Sequence, residues 1–491
     1  MRSIFFRSQL LWVFPLLFVG CAALEVEEMQ RCSPIKGTPK DWTTPGNCQV
    51  CGEAAVGWVK DFDNPVLVQL AHEAVGNNFT VASALQRVFQ AEERARISRS
   101  ALFPQIDTDL DSTRRQTTTG RSTQHNFALN SAWEIDLWGR LKDLKKADLA
   151  TMDSQFQAYQ AVRLSLVASV LKAAFELIES EEQIKSLQKN LRSLQANLDI
   201  LDAKLEAGDA NETTALEIAL SRTDIARSRS LIFAEEQDRD EARRALEVLL
   251  GRYPKGVISA LKTLPDPSRC IPIGLPSDLL IRRPDIIQAE MNVNQTLYNV
   301  SATQKQLLPS FRLTSGIGTS TSDTFQELFN LNNLVWNVGQ GLTQPIFQGG
   351  RIRAEIKLSE YQRDELIATY ANTVLTAFQE VEVALAAEGY LNNQVKALQD
   401  NVREARLAEE LSLSDYEKGI VDIITLLQSQ RRAFDAESGL LSARLLRLFN
   451  RVDLYLALGG DFDCKPIPMA PPEPEETIIK RYKSEKRPGR F

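Results

Sequence analysis

Histidine is almost missing from this chain: its 491 residues hold two, His72 and His125. That leaves little room for zinc sites or for imidazole acid–base catalysis. No Ser/His/Asp arrangement and no phosphate-binding glycine loop stands in their place. Basic charge is not in excess either, since 57 lysines and arginines face 64 acids for a net charge of −7. A nucleic-acid binder would show a basic footprint. Beyond the first 20 residues no apolar run approaches the ~18 residues that read as a membrane helix. Proline and glycine are both absent from Leu141 to Leu205. With 43% hydrophobic and 25% charged residues, the composition is that of a folded protein. An ordinary multidomain enzyme is a poor fit.

The first residues read as a targeting segment. Met1, Arg2 and Arg7 give a positive start, and Leu10 to Gly20 is apolar before Cys21. Val19-Gly20-Cys21 resembles the bacterial lipobox, at which a signal peptide is cleaved and the cysteine receives lipid; a plain secretory signal is the alternative. We therefore expect a signal peptide over 1–20 and a lipid-anchored extension over 21–64. Ala22, where an Asp would retain a lipoprotein at the inner membrane, directs the expectation to the outer membrane. In an exported protein Cys48 and Cys51 read as a small disulfide loop rather than a redox or metal site. The partners of Cys32, Cys270 and Cys464 stay open, although Cys270 and Cys464 both lie just past long helical runs.

The body is a tandem duplication. A helical stretch over 65–102 ends at Phe103-Pro104, and a Ser/Thr/Asn-rich alternating stretch follows to 138. A breaker-free run from Leu141 to Leu205 comes next; as a helix it would be about 100 Å long. Ala207-Gly208-Asp209 interrupts it before a second run to Leu250. The order then repeats: a helix over 277–307, a break at Leu308-Pro309, an alternating stretch to 347, a run from Arg351 to Lys418, a break at Gly419 and a last helix to Leu458. This gives a first repeat over 65–252, a linker over 253–276, a second repeat over 277–462 and a disordered tail over 463–491.

Spacing tells the two kinds of segment apart. Leu187, Leu191, Leu194, Leu198, Leu201 and Leu205 alternate steps of four and three, as do Leu441, Leu445, Leu448, Val452 and Tyr455. Such a seam predicts long helices paired antiparallel across the breaks, with an ordinary long-helix bundle as the alternative. In the other segments Ile106, Thr108 and Leu110 alternate with Asp107, Asp109 and Asp111, and Leu334, Trp336 and Val338 alternate with their neighbours. Stretches of about ten residues with period two suit tilted membrane β-strands. Four strands cannot close a barrel, and hydrocarbon does not tolerate open edges, so closure would need several copies. A small soluble antiparallel sheet is the alternative.

Trp133-Glu134-Ile135-Asp136-Leu137-Trp138-Gly139-Arg140 stands where strand meets helix, with a counterpart in Gln344-Pro345-Ile346-Phe347-Gln348-Gly349-Gly350-Arg351. Gly274-Leu275-Pro276-Ser277-Asp278-Leu279-Leu280-Ile281-Arg282-Arg283-Pro284-Asp285 opens the second repeat, and Tyr416-Glu417-Lys418-Gly419 marks its helical turn. In these motifs the chain, over about 65–460, resembles the TolC-like outer-membrane factors, particularly the lipoprotein (NodT-type) branch of efflux channels. Gly139 and Gly350 suit the turn from strand to helix, and Arg140 and Arg351 suit carbonyls or phosphates at the membrane edge. Trp133, Trp138 and Trp336 suit an aromatic belt, and Arg282 and Arg283 suit structural ion pairs.

The resemblance implies a mostly α protein with a membrane β-barrel contribution: a homotrimer closing a twelve-stranded β-barrel, continued by a periplasmic α-helical barrel. It implies a passive duct in the cell outer membrane, extending into the periplasm, with no cofactor and no enzymatic step. Its partners would be a periplasmic adaptor, an inner-membrane pump of the resistance-nodulation-division type or similar, and outer-membrane lipid, with no nucleic acid and no metal. The helix tips would form the entrance, with Asp209, Glu212, Glu217, Tyr416 and Asp422 as candidate gate residues; the acids read equally as helix caps. Thr214 and Thr425 stand where some relatives carry a gating Asp. Asp107, Asp109 and Asp111 would line the barrel lumen and hydrate it, with a tilt towards cations as the alternative. The competing function is a structural coiled-coil lipoprotein tethering the envelope. The exported substrate is not legible in the chain.

Overall fold

The computed structural model describes residues 42–43, 57–206, 212–259, 263–266, 276–322 and 325–460. Cys21, Cys32, Cys48, Cys51, Asp209, Cys270, Cys464 and the tail lie outside them. Helices occupy the gaps between breakers. They are α1 (Pro65–Asn77), α2 (Phe79–Ser100), α3 (Arg140–Glu206), α4 (Glu212–Leu249), α5 (Leu279–Arg282), α6 (Pro284–Gln304), α7 (Arg351–Glu417) and α8 (Ile423–Ala457). The strands are β1 (Gln105–Thr117), β2 (Gly120–Ile135), β3 (Ser310–Thr321) and β4 (Leu334–Thr343). Among the described residues no helix is long and apolar enough to cross a membrane.

Two expected helices are broken. The stretch over 65–102 divides at Asn78, whose backbone is extended and whose side-chain amide donates to the Leu249 carbonyl at 2.9 Å. That bond satisfies a carbonyl left over at the end of α4. The stretch over 277–307 divides at Arg283, because the residue before a proline is pushed out of the helical region. Pro284 then opens α6 at a position where its missing N–H costs nothing. Arg283 forms its ion pair locally, 2.6 Å from Asp285.

The chain divides into two compact units. Among described residues, one holds 79–163 and 276–379, and the other 57–78, 164–266 and 380–460. The first contains one antiparallel sheet in the order β1-β2-β3-β4, so the two repeats meet where β2 pairs with β3. Beside it, α2 buries Val81, Ala84, Val88, Ala91 and Ala95, a single face of a helix. Within this unit α3 is tied to the segment after α6 by a buried pair, with Lys305 Nζ 2.5 Å from the Asp143 carboxylate. Ser301 donates to the same oxygen at 2.6 Å.

The second unit is helical. Val167, Val170, Leu171 and Phe175 of α3 are fully buried there, as are Leu448 and Val452 of α8. Glu388 of α7 lies 3.0 Å from Arg451 and 3.3 Å from Arg447, both on α8. The extension expected over 21–64 contributes at its end. Trp58 and Phe62 sit in a short helical turn and are buried, with Trp58 stacked on Tyr455 at 5.1 Å and Phe62 against Phe175 at 5.2 Å. The Tyr455 hydroxyl donates to Asp61 at 2.8 Å.

Candidate functional site

At the helix tips the turn after α7 follows from one glycine. Gly419 takes φ +70°, its N–H donates to the Tyr416 carbonyl at 3.0 Å, and Ile420 N–H donates to Asp415 at 2.8 Å. This is the paired closure of a helix end that needs a left-handed residue. Asp422 then starts α8, its carboxylate accepting the Thr425 N–H at 2.8 Å. The Thr425 hydroxyl and N–H hold that carboxyl below its ordinary range. Asp422 is thus a helix cap, and Thr425 is its partner.

The four long helices meet just above. Leu194 and Leu201 of α3, Ile218 and Ile225 of α4, Tyr416 of α7, and Ile423, Leu426 and Leu427 of α8 form one buried cluster. Tyr416 is buried in it, and Lys204 Nζ lies 4.6 Å from its ring centroid and 3.4 Å from its hydroxyl. The aromatic position at the tip therefore meets a cation, a contact worth about 0.5–2 kcal/mol. Glu217 is half-buried on α4 beside Ile218, and Glu212 opens that helix. One layer further in, Asn197 donates to Gln430 at 2.8 Å and Gln430 donates to Ser193 at 2.9 Å, the first two buried and Ser193 half-buried between α3 and α8. A paired polar layer of this kind fixes the register of two helices. Periodicity of the leucines did not disclose it.

In the sheet unit, register sorts the side chains by face. Asp107, Asp109 and Asp111 lie opposite Asn130, Ala128 and Asn126. Continuing across, the same face carries Gly316, Gly318 and Ser320 of β3, then Val335, Asn337 and Gly339 of β4, with Val335 its apolar exception. Asn130 donates to Asp109 at 2.7 Å, Asn126 to Asp111 at 3.3 Å, and Ser320 to Asn126 at 2.7 Å. The other face carries Ile106, Leu110, Phe127, Leu129, Ile317, Trp336, Val338 and Leu342. All eight are exposed, Trp336 and Val338 at 73%. The outer edges of β1 and β4 pair with no strand among the described residues.

The strand–helix junctions share a left-handed glycine. Gly139 and Gly350 take φ +75° and +87°, conformations that side chains resist. The Asp136 carboxylate caps α3, accepting Leu141 N–H at 3.2 Å and Lys142 N–H at 2.9 Å. Arg140 and Arg351 are satisfied by carboxylates rather than carbonyls or phosphates: Arg140 pairs with Glu134 at 2.7 Å and Arg351 with Glu355 at 2.6 Å. Trp133 donates to the Leu102 carbonyl at 3.0 Å and Trp138 to Pro309 at 2.7 Å. Both tryptophans are thereby fixed at the helical end of the sheet, whereas Trp336 lies among the apolar residues of its face, paired with Ile317.

Comparison with known proteins places these features. The family described as outer membrane efflux protein matches residues 70–252 and 275–460. The pyoverdine export outer membrane protein OpmQ of Pseudomonas putida is 31% identical over 438 residues, covering 86% of this chain and 92% of OpmQ. The cation efflux system protein CusC of Escherichia coli is 30% identical over 417 residues, covering 82% of this chain and 88% of CusC. The solved open state of the MtrE outer membrane channel of Neisseria gonorrhoeae shares the fold at TM-score 0.81 and 26% identity, covering 90% of this chain and all of that one.

Proposed function

The chain belongs to the outer membrane efflux protein family, and we propose that it works there as the passive exit duct of a tripartite export system. One observation carries this reading: a four-stranded sheet, apolar on one face and polar on the other, with both edges open. In hydrocarbon such edges must be paired, and three copies of four strands close a twelve-stranded barrel with the apolar face towards lipid. The polar face then lines the lumen, where Asp107, Asp109 and Asp111, engaged with asparagines, keep it hydrated. The repeats over 65–252 and 277–462 each supply two strands and a long helical hairpin, and a lipid on Cys21 adds an anchor.

The helix tips form the entrance. Tyr416, packed against Lys204, holds the tip closed, and Asp209, Glu212, Glu217 and Asp422 set its charge. A periplasmic adaptor would dock there, and an inner-membrane pump would supply the energy. Cargo passes without chemistry; OpmQ is named for pyoverdine export and CusC for cation efflux, which supports a shared duct plan whose cargo is chosen by pump and adaptor.

Single-channel conductance of the purified full chain in planar bilayers tests this. A pore is expected, and its cation preference should fall when Asp209, Glu212, Glu217 and Asp422 are all replaced by Ala. Tyr416→Ala should raise the open probability. A well-folded protein that gives no channel would overturn the duct and favour the envelope tether.

A further inference from the structure

The β1–β2 hairpin carries a cluster of arginines, two of which lie on the face away from the proposed lumen. From Ser112 to His125 the sequence has three arginines, Arg114, Arg115 and Arg121, and no acid. Register assigns them to faces. Arg114 lies opposite Thr123 and Arg121 opposite Gln116, both on the face that carries Ile106, Leu110, Phe127 and Leu129. Arg115 lies on the other face, that of the three aspartates.

Arg114 and Arg121 are diagonal neighbours across the pair, a separation of roughly 7–8 Å between backbones. Like charges so placed repel unless an anion sits between them. Among the described residues Arg114 makes no ion pair, and Arg121 is held only by a 3.1 Å bond from its Nε to Gln116, leaving its terminal nitrogens free to donate. Beneath them on the same face Ser112 bonds His125 at 2.7 Å, and His125 packs edge-on to Phe325 at 5.7 Å. Phe325 in turn meets Phe329, which is 78% exposed. The order along the strands is apolar residues, then an aromatic and histidine step, then two arginines, the sequence of environments met on leaving a bilayer.

Side-chain reach covers the depth. Arg114 is four residues beyond Leu110, about 14 Å along the strand and about 10 Å along the membrane normal at the usual barrel tilt, and Arg121, opposite Gln116, is about 14 Å along the normal. The headgroup layer extends roughly 5–8 Å beyond the hydrocarbon, and arginine stems bend back towards it.

Resting on the reading of the sheet as membrane-inserted, we propose that Arg114 and Arg121 clamp the phosphate of an outer-leaflet lipid headgroup. Guanidinium forks match phosphate oxygens two by two, and the apolar face below supplies contact for the acyl chains. Arg115, facing the lumen, takes no part.

The test uses the full chain in nanodiscs of phosphatidylcholine containing bisphosphorylated lipid A or its dephosphorylated form, with retained lipid counted by native mass spectrometry. The wild type should retain the phosphorylated lipid about tenfold better, a factor typical of one good charge-assisted contact. R114Q/R121Q should lose that preference and R115Q should keep it. An undiminished preference in R114Q/R121Q, or an equal loss in R115Q, would overturn the clamp in favour of diffuse charge. Competition by millimolar inorganic phosphate would overturn it in favour of a site for solution anions. A wild type that conducts in bilayers yet shows no preference would sink the clamp alone. One that never inserts would sink the clamp together with the reading beneath it.

Discussion

The helices α3 and α7 are each 67 residues long and hold the same place in the two repeats, yet the chain surrounds them differently. On α3 the large apolar side chains are covered, down to Val167, Val170, Leu171 and Phe175 at 0% exposure. Only Ile200 and Leu205, near its end, stand exposed. On α7 Val374 and Val381 are equally buried, but Leu358, Tyr361, Leu375, Val383, Tyr390, Leu407 and Leu411 are exposed, Tyr390 at 76%. Val383, Tyr390 and Leu411 fall on one heptad position, so the exposed residues form a stripe rather than a scatter. One duplicated helix became interior and its copy kept an uncovered seam. The two copies of one helix thus differ in how much apolar surface the chain leaves uncovered.

The largest test of that contrast lies on α3. Phe175→Ala should cost about 3–5 kcal/mol of stability, read by thermal or denaturant unfolding, because its ring is fully buried and its removal leaves a cavity. Next comes a pH effect on the same helix. Burial pushes the Asp153 carboxyl from 3.8 up to about 6. The unfolded chain therefore gives up this proton before the folded one, and stability falls as pH rises between those values and stays level above them. Asp153→Asn should flatten that decline and add on the order of 2 kcal/mol at pH 7, measured as midpoint against pH. At the end of α7, Gly419→Ala should cost about 1–2 kcal/mol, since its φ of +70° suits no side chain. Smallest is Tyr390→Ser in the uncovered seam. It should leave protomer unfolding within about 0.5 kcal/mol yet shift the trimer–monomer balance in analytical ultracentrifugation. A destabilised protomer there would erase the contrast between the two helices.

What could be read in the sequence follows from range. The ends of α3 and α7 fall within a residue of the expected limits because glycine and proline are local signals. Strand alternation disclosed the two faces of the sheet for the same reason. The break at Asn78 was hidden, since asparagine is compatible with helix composition and the deciding partner, Leu249, is 171 residues away. The pairs Asp143–Lys305 and Glu388–Arg451 were equally silent, joining positions 162 and 63 residues apart. At the tips Tyr416 was marked by its motif, but Lys204, the cation it meets, carries no local signature. Glu134, which holds Arg140, sits in the quoted motif and was legible in principle.

The contact of Trp58 and Asp61 with Tyr455 also sets an order of events. Asp61 and Tyr455 are 394 residues apart, so bringing them together closes a loop of nearly the whole body at an entropic cost of about 5 kcal/mol. A chain delivered from its N-terminus presents Trp58 early, and the ring face that stacks on Tyr455 lacks that partner until α8 arrives. The tryptophan therefore acts as a clasp that only a complete chain can fasten. Its fluorescence should report the last act of assembly, and a chain cut short before Tyr455 would display an unfastened aromatic segment to whatever inspects nascent proteins.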